Sequence, residues 1–239
     1  MSPRGNPRRH LLPMPRKPPI LCYVTDRRSL RLAAQENVME ALLQKVEAAA
    51  ASGIDWIQLR EKDLSGKDCA ALTREALRRV AQTSPNTGHA PRILVNDRVD
   101  VALVERAGGV HLGESSLPVE DAKRLAAAAR PPLQDFLVGL SCHSLEAAQS
   151  AARAGADYVF FGPVFATPSK AAFGQPQGLQ RLVQVCRAVD IPVLAIGGIT
   201  LENAAQCLAS GVAGIAAIRL FQDARTLPLA AEALRQLEF

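Results

Sequence analysis

Ala51-Ser-Gly-Ile-Asp-Trp-Ile-Gln58 sets a pattern that the chain repeats three more times. It returns as Arg106-Ala-Gly-Gly-Val-His-Leu112, Arg153-Ala-Gly-Ala-Asp-Tyr-Val-Phe160 and Ala209-Ser-Gly-Val-Ala-Gly-Ile-Ala216. In each copy a helical segment stops at a glycine (Gly53, Gly108, Gly155, Gly211) and an apolar run starts shortly after. Glycine at that place tolerates the left-handed backbone that ends a helix. The glycines are 55, 47 and 56 residues apart, near the length of two strand–helix units. The repeat is therefore expected to mark the even-numbered strands of an eight-unit barrel.

The rest of the chain fills in around it. Short apolar runs lie at Ile20–Thr25, Trp56–Leu59, Arg92–Val95, Val110–Leu112, Leu137–Ser141, Tyr158–Gly162, Pro192–Ile196 and Gly214–Ile218. Each is too short for a helix and is rich in Val, Ile, Leu or aromatics, as buried strands are. Helical periodicity occupies Val38–Ala51, Gly66–Gln82, Pro118–Ala129, Leu145–Ala154, Gly178–Ala188 and Leu201–Ser210. Ser65, Ser144 and Thr200 stand as N-caps of three of these. Strands alternating with helices give a parallel sheet with crossover helices, and eight strands close a barrel. The expected fold is one (β/α)8 TIM barrel over residues 20–239, behind a disordered, basic, Pro-rich tail over residues 1–19.

Composition agrees. Hydrophobic residues make up 48% of 239, enough for a large core, and aromatics only 4%. No apolar run reaches the ~18 residues of a membrane span, so no membrane partner is expected. The net charge of +5 suggests nucleic acid, but Arg4, Arg8, Arg9, Arg16 and Lys17 account for all of it. The body is near neutral, which argues against a nucleic-acid surface. The tail lacks the long apolar stretch of a secretory signal. Five scattered cysteines without a C-x-x-C pair suit a reducing cytoplasm. A homodimer would be unremarkable for a barrel enzyme.

Active sites of such barrels lie at the C-terminal ends of the strands. Alternation puts Gln58 and Arg60 on the inward face of the second strand. An inward arginine calls for an anion, or else for an acid paired with it inside the barrel. After the third strand, Asn96-Asp97 reads as a turn and cap or as a cation ligand. His111 on the fourth strand reads as a packed barrel histidine, and Glu114 beyond it as a ligand or a solvated charge. After the fifth come Ser141 and His143, the latter a rim acid/base or a plain loop residue. The sixth is followed by Thr167, Ser169 and Lys170 in a long loop with donors for oxyanions, a plausible lid. Gly197-Gly198 after the seventh precedes a helix and suits a phosphate. Arg219 closes the eighth. Small phosphorylated substrates are the expected partners.

These motifs resemble the thiamine phosphate synthase and thiazole tautomerase superfamily. The resemblance rests on Gln-Leu-Arg-Glu-Lys (58–62), Val-Asn-Asp (95–97), Gly-Val-His-Leu-Gly (109–113), Gly-Leu-Ser-Cys-His-Ser (139–144), Gly-Pro-Val-Phe-Ala-Thr-Pro-Ser-Lys (162–170) and Ile-Gly-Gly-Ile-Thr (196–200). It implies coupling of hydroxymethylpyrimidine pyrophosphate to a thiazole phosphate or its carboxylate, giving thiamine phosphate and pyrophosphate. It implies ring recognition by Gln58 and Asn96, and pyrophosphate contacts from Arg60, Lys62, Ser141 and Lys170. It implies Mg²⁺ on Asp97, and a thiazole phosphate on Thr167, Ser169, Gly197 and Gly198. Arg60, Lys170 and His143 are the expected catalytic residues. Two positions depart from the synthase pattern: Ser116 stands where a second Mg²⁺-binding Asp is expected, and Arg219 where a serine is. Glu114 is the candidate replacement ligand. The alternatives are a metal-independent tautomerase using His143 as acid/base, and a non-catalytic phosphate-binding protein.

Overall fold

A computed structural model describes residues 18–32, 35–83, 90–133, 135–167, 175–222 and 227–237. Eight parallel strands close in chain order into a barrel: β1 Ile20–Val24, β2 Trp56–Leu59, β3 Arg92–Asn96, β4 Gly109–Leu112, β5 Leu137–Cys142, β6 Tyr158–Phe161, β7 Val193–Ile196 and β8 Gly214–Ala217. Closure is made by β1 against β8, with Cys22 opposite Ala216. The expected (β/α)8 barrel is the observed fold. The expectation of a disordered tail falls almost wholly on residues 1–17, outside the described residues.

Strand alternation sorts the apolar residues into two cores. Leu21, Ile57, Val95, Val110, Val138, Val159, Val193 and Ile215 point outward and pack on the helices. Cys22, Val24, Leu94, Tyr158, Phe160, Leu194 and Ala216 fill the barrel. Packing inside leaves no room at β5: a Cβ on Gly139 would fall 2.0 Å from the Tyr158 ring. Cys142, beside the site in sequence, packs outward, and burial pushes its thiol up to about 12.

The helices are α1 Val38–Ala51, α2 Gly66–Thr83, α3 Val99–Val104, α4 Val119–Ala128, α5 Leu145–Arg153, α6 Gly178–Ala188, α7 Leu201–Ala209, α8 Arg219–Gln222 and α9 Leu227–Arg235. Ser65 and Ser144 cap as expected, accepting from Asp68 N–H and Ala147 N–H, and Thr200 forms a capping box with Asn203. The expected helices do not include α3 or α8, which are shorter than two turns, nor the nine-residue α9. The repeat marks β2, β4, β6 and β8 as expected, with one correction. Gly53, Gly155 and Gly211 are left-handed, but in the second copy Arg106 takes that conformation (φ 54°), not Gly108. Gly108 lies two residues further on and instead packs closely on Arg92.

Candidate active site

The end of β2 is the most tightly built part of the mouth. Gln58 is buried and its Nε2 donates to Asn96 Oδ1 at 2.9 Å, joining β2 to β3. Glu61 follows, its side chain only 3% exposed. The Thr25 hydroxyl donates to it at 2.7 Å, and Arg27 donates through its backbone N–H and through its guanidinium at 3.0 Å. Thr25 Oγ1 also accepts the Arg60 N–H at 2.9 Å. Arg27 further grips Asp63, and its guanidinium holds that carboxyl well below the usual carboxylate range. Both acids of the stretch thus turn toward the β1 loop and are spent there. The half-buried Arg60 and exposed Lys62 have no ion pair among the described residues. This removes the reading in which Arg60 is neutralised inside the barrel. Sequence reasoning missed Glu61. The signal was there, since alternation places it opposite Arg60.

Asn96-Asp97 is both turn and ligand candidate. Asp97 sits at φ 65°, a conformation that costs a non-glycine residue roughly 1 kcal/mol or more. Its N–H bonds to His111 O at 2.8 Å, and α3 begins two residues later. Arg98 turns away to Asp100, leaving the Asp97 carboxylate exposed at the mouth.

Below the mouth, His111 is buried, with Nδ1 3.0 Å from the Tyr158 hydroxyl and Nε2 2.9 Å from Ser141 Oγ. Burial first, and the Arg60 charge second, push its pKa down to about 3, so the ring is neutral. It is a packed barrel histidine, as one reading had it, but it carries Ser141. His143 lies at the rim, its Nδ1 bonded to the Gly162 carbonyl. A carbonyl only accepts, so Nδ1 carries a proton and Nε2 is the nitrogen left facing the rim. Glu114 is not merely solvated: its Oε1 accepts the His143 N–H at 3.2 Å. Ser116 Oγ accepts the Gly113 N–H at 2.8 Å, so that hydroxyl closes its own turn.

Across the barrel, the segment after β6 lies directly on the turn after β7. Val164 N–H bonds to Ile196 O and Phe165 N–H to Gly197 O. Gly197 and Gly198 are left-handed (φ 94° and 69°), and a Cβ on Gly198 would lie 2.7 Å from Ala166 O. Close packing, as well as phosphate approach, therefore demands glycine here. Thr167 is half-buried at the edge of this segment, while Ser169 and Lys170, with the proposed lid, lie outside the described residues. Arg219 opens α8 and is exposed. Gln222 at the end of α8 accepts the Tyr23 hydroxyl at 2.9 Å and donates to Asp26 O and Ser29 Oγ. A short extra helix after the eighth strand commonly completes a phosphate site in this fold.

No group of three or more metal-ligating side chains is gathered among the described residues. Magnesium, however, usually takes one or two carboxylates and completes its shell with substrate phosphates and water. Asp97 and Glu114, at the ends of neighbouring strands, offer that donor set. No helix among the described residues is long and apolar enough to cross a membrane.

Comparison with known proteins places these features. A family model described as thiamine monophosphate synthase matches residues 22–221. The chain is 44% identical over 177 residues to a putative thiamine-phosphate synthase of Geobacter sulfurreducens, covering 74% of this chain and 78% of that one. It is 42% identical to the thiamine-phosphate synthase of Roseiflexus castenholzii, over 87% of this chain and 82% of the relative. Among solved structures, thiamine phosphate pyrophosphorylase from Pyrococcus furiosus matches with a TM-score of 0.73 at 33% identity, covering 91% of this chain and 95% of that chain.

Proposed function

The chain belongs to the thiamine monophosphate synthase family, and from that premise we propose that it joins hydroxymethylpyrimidine pyrophosphate to a thiazole phosphate or its carboxylate, giving thiamine phosphate and pyrophosphate. The observation that carries this reading is the end of β2. Two cations without a counter-ion among the described residues, Arg60 and Lys62, stand on a frame whose own acids are engaged elsewhere. Such a frame suits a highly charged anion.

In the proposed reaction the bond from the pyrimidine methylene carbon to the pyrophosphate oxygen breaks. The electron pair leaves with pyrophosphate, and the thiazole nitrogen forms the new bond to that carbon. No protein nucleophile is needed. Arg60 and Lys62, with Ser141 and Lys170, neutralise the leaving group as its charge grows. Gln58 and Asn96, locked to each other, orient the pyrimidine ring. The barrel interior of Tyr158, Phe160 and His111 closes the floor and keeps water from the developing cation. Thr167, Ser169 and the Gly197-Gly198 turn hold the thiazole phosphate. Mg²⁺, held by Asp97 with Glu114 in place of the missing Asp, would add positive charge to the pyrophosphate oxygens. Ser116 is the weaker candidate for that role, since a neutral hydroxyl that already closes a turn with Gly113 brings no charge to the cation. A reducing cytoplasm, which keeps the five cysteines free, is the compartment this reading implies.

One observation favours a second reading. His143 is anchored through Nδ1 to the Gly162 carbonyl, which leaves Nε2 at the rim, where an acid/base in a thiazole tautomerase would act. Product analysis with both substrates, with and without Mg²⁺, separates the two. Thiamine phosphate formed by this protein alone, and only with Mg²⁺, is the expected result. Product appearing only after an authentic synthase is added, and faster than with that synthase alone, would make it a tautomerase. Phosphate-ligand binding without turnover in either test would make it a binding protein.

A further inference from the structure

We propose that Tyr158 and His111 are positioning residues that set the direction of the Ser141 hydroxyl, turning it into an obligate hydrogen-bond donor toward the leaving pyrophosphate. The inference rests on the reading above for the identity of the anion, but its structural part stands on geometry alone.

The Tyr158 phenol lies wholly inside the barrel, and the only partner its oxygen has among the described residues is His111 Nδ1, 3.0 Å away. No buried side-chain polar atom among the described residues lacks a partner. A phenol has one hydrogen to place, and leaving it unpaired in a dry interior is unfavourable. Tyr158 therefore donates to Nδ1. A neutral imidazole carries one proton, which then sits on Nε2. That N–H points at Ser141 Oγ, 2.9 Å away, so Ser141 accepts from below. Its own hydrogen is released upward, away from the barrel interior and toward the strand ends.

This direction matters because phosphate oxygens only accept. Were the chain of bonds reversed, Ser141 would spend its hydrogen on His111 and offer lone pairs to an anion. The inferred order presents a donor, and acceptance from His111 polarises the hydroxyl and strengthens it. Packing holds the three groups in register. The His111 ring lies 4.1 Å from that of Phe160, and Trp56 lies 4.7 Å from Tyr158, centroid to centroid. Gly139 leaves the space through which the Tyr158 ring passes.

The chain has four histidines, so nitrogen-15 spectra of the labelled full-length protein are readily assigned by replacing the other three singly. The expected spectrum shows His111 with its proton on Nε2 and a bare Nδ1. Tyr158→Phe keeps the ring and deletes the hydroxyl, and should bring in the Nδ1–H form. Calorimetric titration with inorganic pyrophosphate and Mg²⁺ supplies the second readout. Tyr158→Phe should weaken binding by roughly threefold to tenfold, and Ser141→Ala by about tenfold, the scale of a hydrogen bond to a charged group. In the double variant, Tyr158→Phe should have no further effect, because the hydroxyl it directs is gone. A His111 proton on Nδ1 in the wild type would overturn the proposal. So would a Tyr158→Phe loss that persists undiminished in the Ser141→Ala background, the mark of a merely structural role. Failure of the wild type to bind pyrophosphate would remove the synthase reading instead, while the spectrum would still decide the hydroxyl's direction.

Discussion

Glu61 and Arg60 are neighbours in sequence with opposite fates. Glu61 is buried under Thr25 and Arg27, while Arg60 keeps its charge for the mouth. Glu61→Gln should leave the barrel folded but loosen the strand end that carries Arg60 and Lys62. Its expected signature in steady-state kinetics is a rise of about tenfold in KM for the pyrophosphate substrate, larger than the fall in kcat. An unchanged KM would show that the frame does not position the cations. His111 gives a second prediction at this scale. Its pKa is about 3 in the fold, against roughly 6.5 unfolded. Between those values the unfolded chain binds the extra proton, so stability rises with pH across this window. It is complete above about pH 6.5 and is lost as pH falls toward 3, at up to about 1.4 kcal/mol per unit. Urea unfolding at pH 6.5 and 5 should show the wild type losing about 1–2 kcal/mol more than His111→Gln. Equal losses would contradict the assignment.

At the scale of elements, the strands were legible to within a residue or two at each end, because buried parallel strands read as short apolar runs. Six of the helices were legible from their apolar stripe. α3 and α8 were not, having too few turns for periodicity to register, and the nine-residue α9 was missed as well. The site was legible as residue types at strand ends. The partners that orient them were not: Glu114 bonding His143, Ser116 bonding Gly113, and Tyr23 reaching Gln222 across 199 positions are contacts that the closed barrel makes. One element shows how strict those contacts are. Gly139→Ala would drive a Cβ into the Tyr158 ring inside β5. Overpacking of this kind costs roughly 1–3 kcal/mol or more. Chemical denaturation should show a loss of at least that size, and full wild-type stability would mean that the interior is looser than drawn.

For the whole molecule, the repeat has a structural purpose at the bottom of the barrel. Asp55 before β2 accepts the Leu21 N–H, and Asp157 before β6 accepts the Val138 N–H. Each aspartate is matched by a distant cation, Arg235 of α9 for the first and Lys123 of α4 for the second. Arg235 also donates to Pro19 O and Gly53 O, tying the last helix to the first strand where the barrel closes. Arg235→Ala should therefore destabilise the fold by about 1–3 kcal/mol, the cost of losing three hydrogen bonds to partly buried acceptors, with little change in kcat. A thermal melt and an activity assay on one preparation check both halves. The mouth and the base are then separate devices on one scaffold, stability below and anion chemistry above.

On the proposed reading, the mouth works by clamping a departing pyrophosphate rather than by moving protons. The most direct test compares thiamine phosphate formation, with saturating substrates and Mg²⁺, in Arg60→Gln and His143→Asn. The clamp predicts that Arg60→Gln lowers kcat by roughly a hundredfold or more, the scale of losing one charge-stabilising contact in a transition state, while His143→Asn stays within about tenfold of wild type. The opposite ranking, with His143→Asn abolishing turnover and Arg60→Gln nearly active, would contradict it and place acid/base chemistry at the centre of the site.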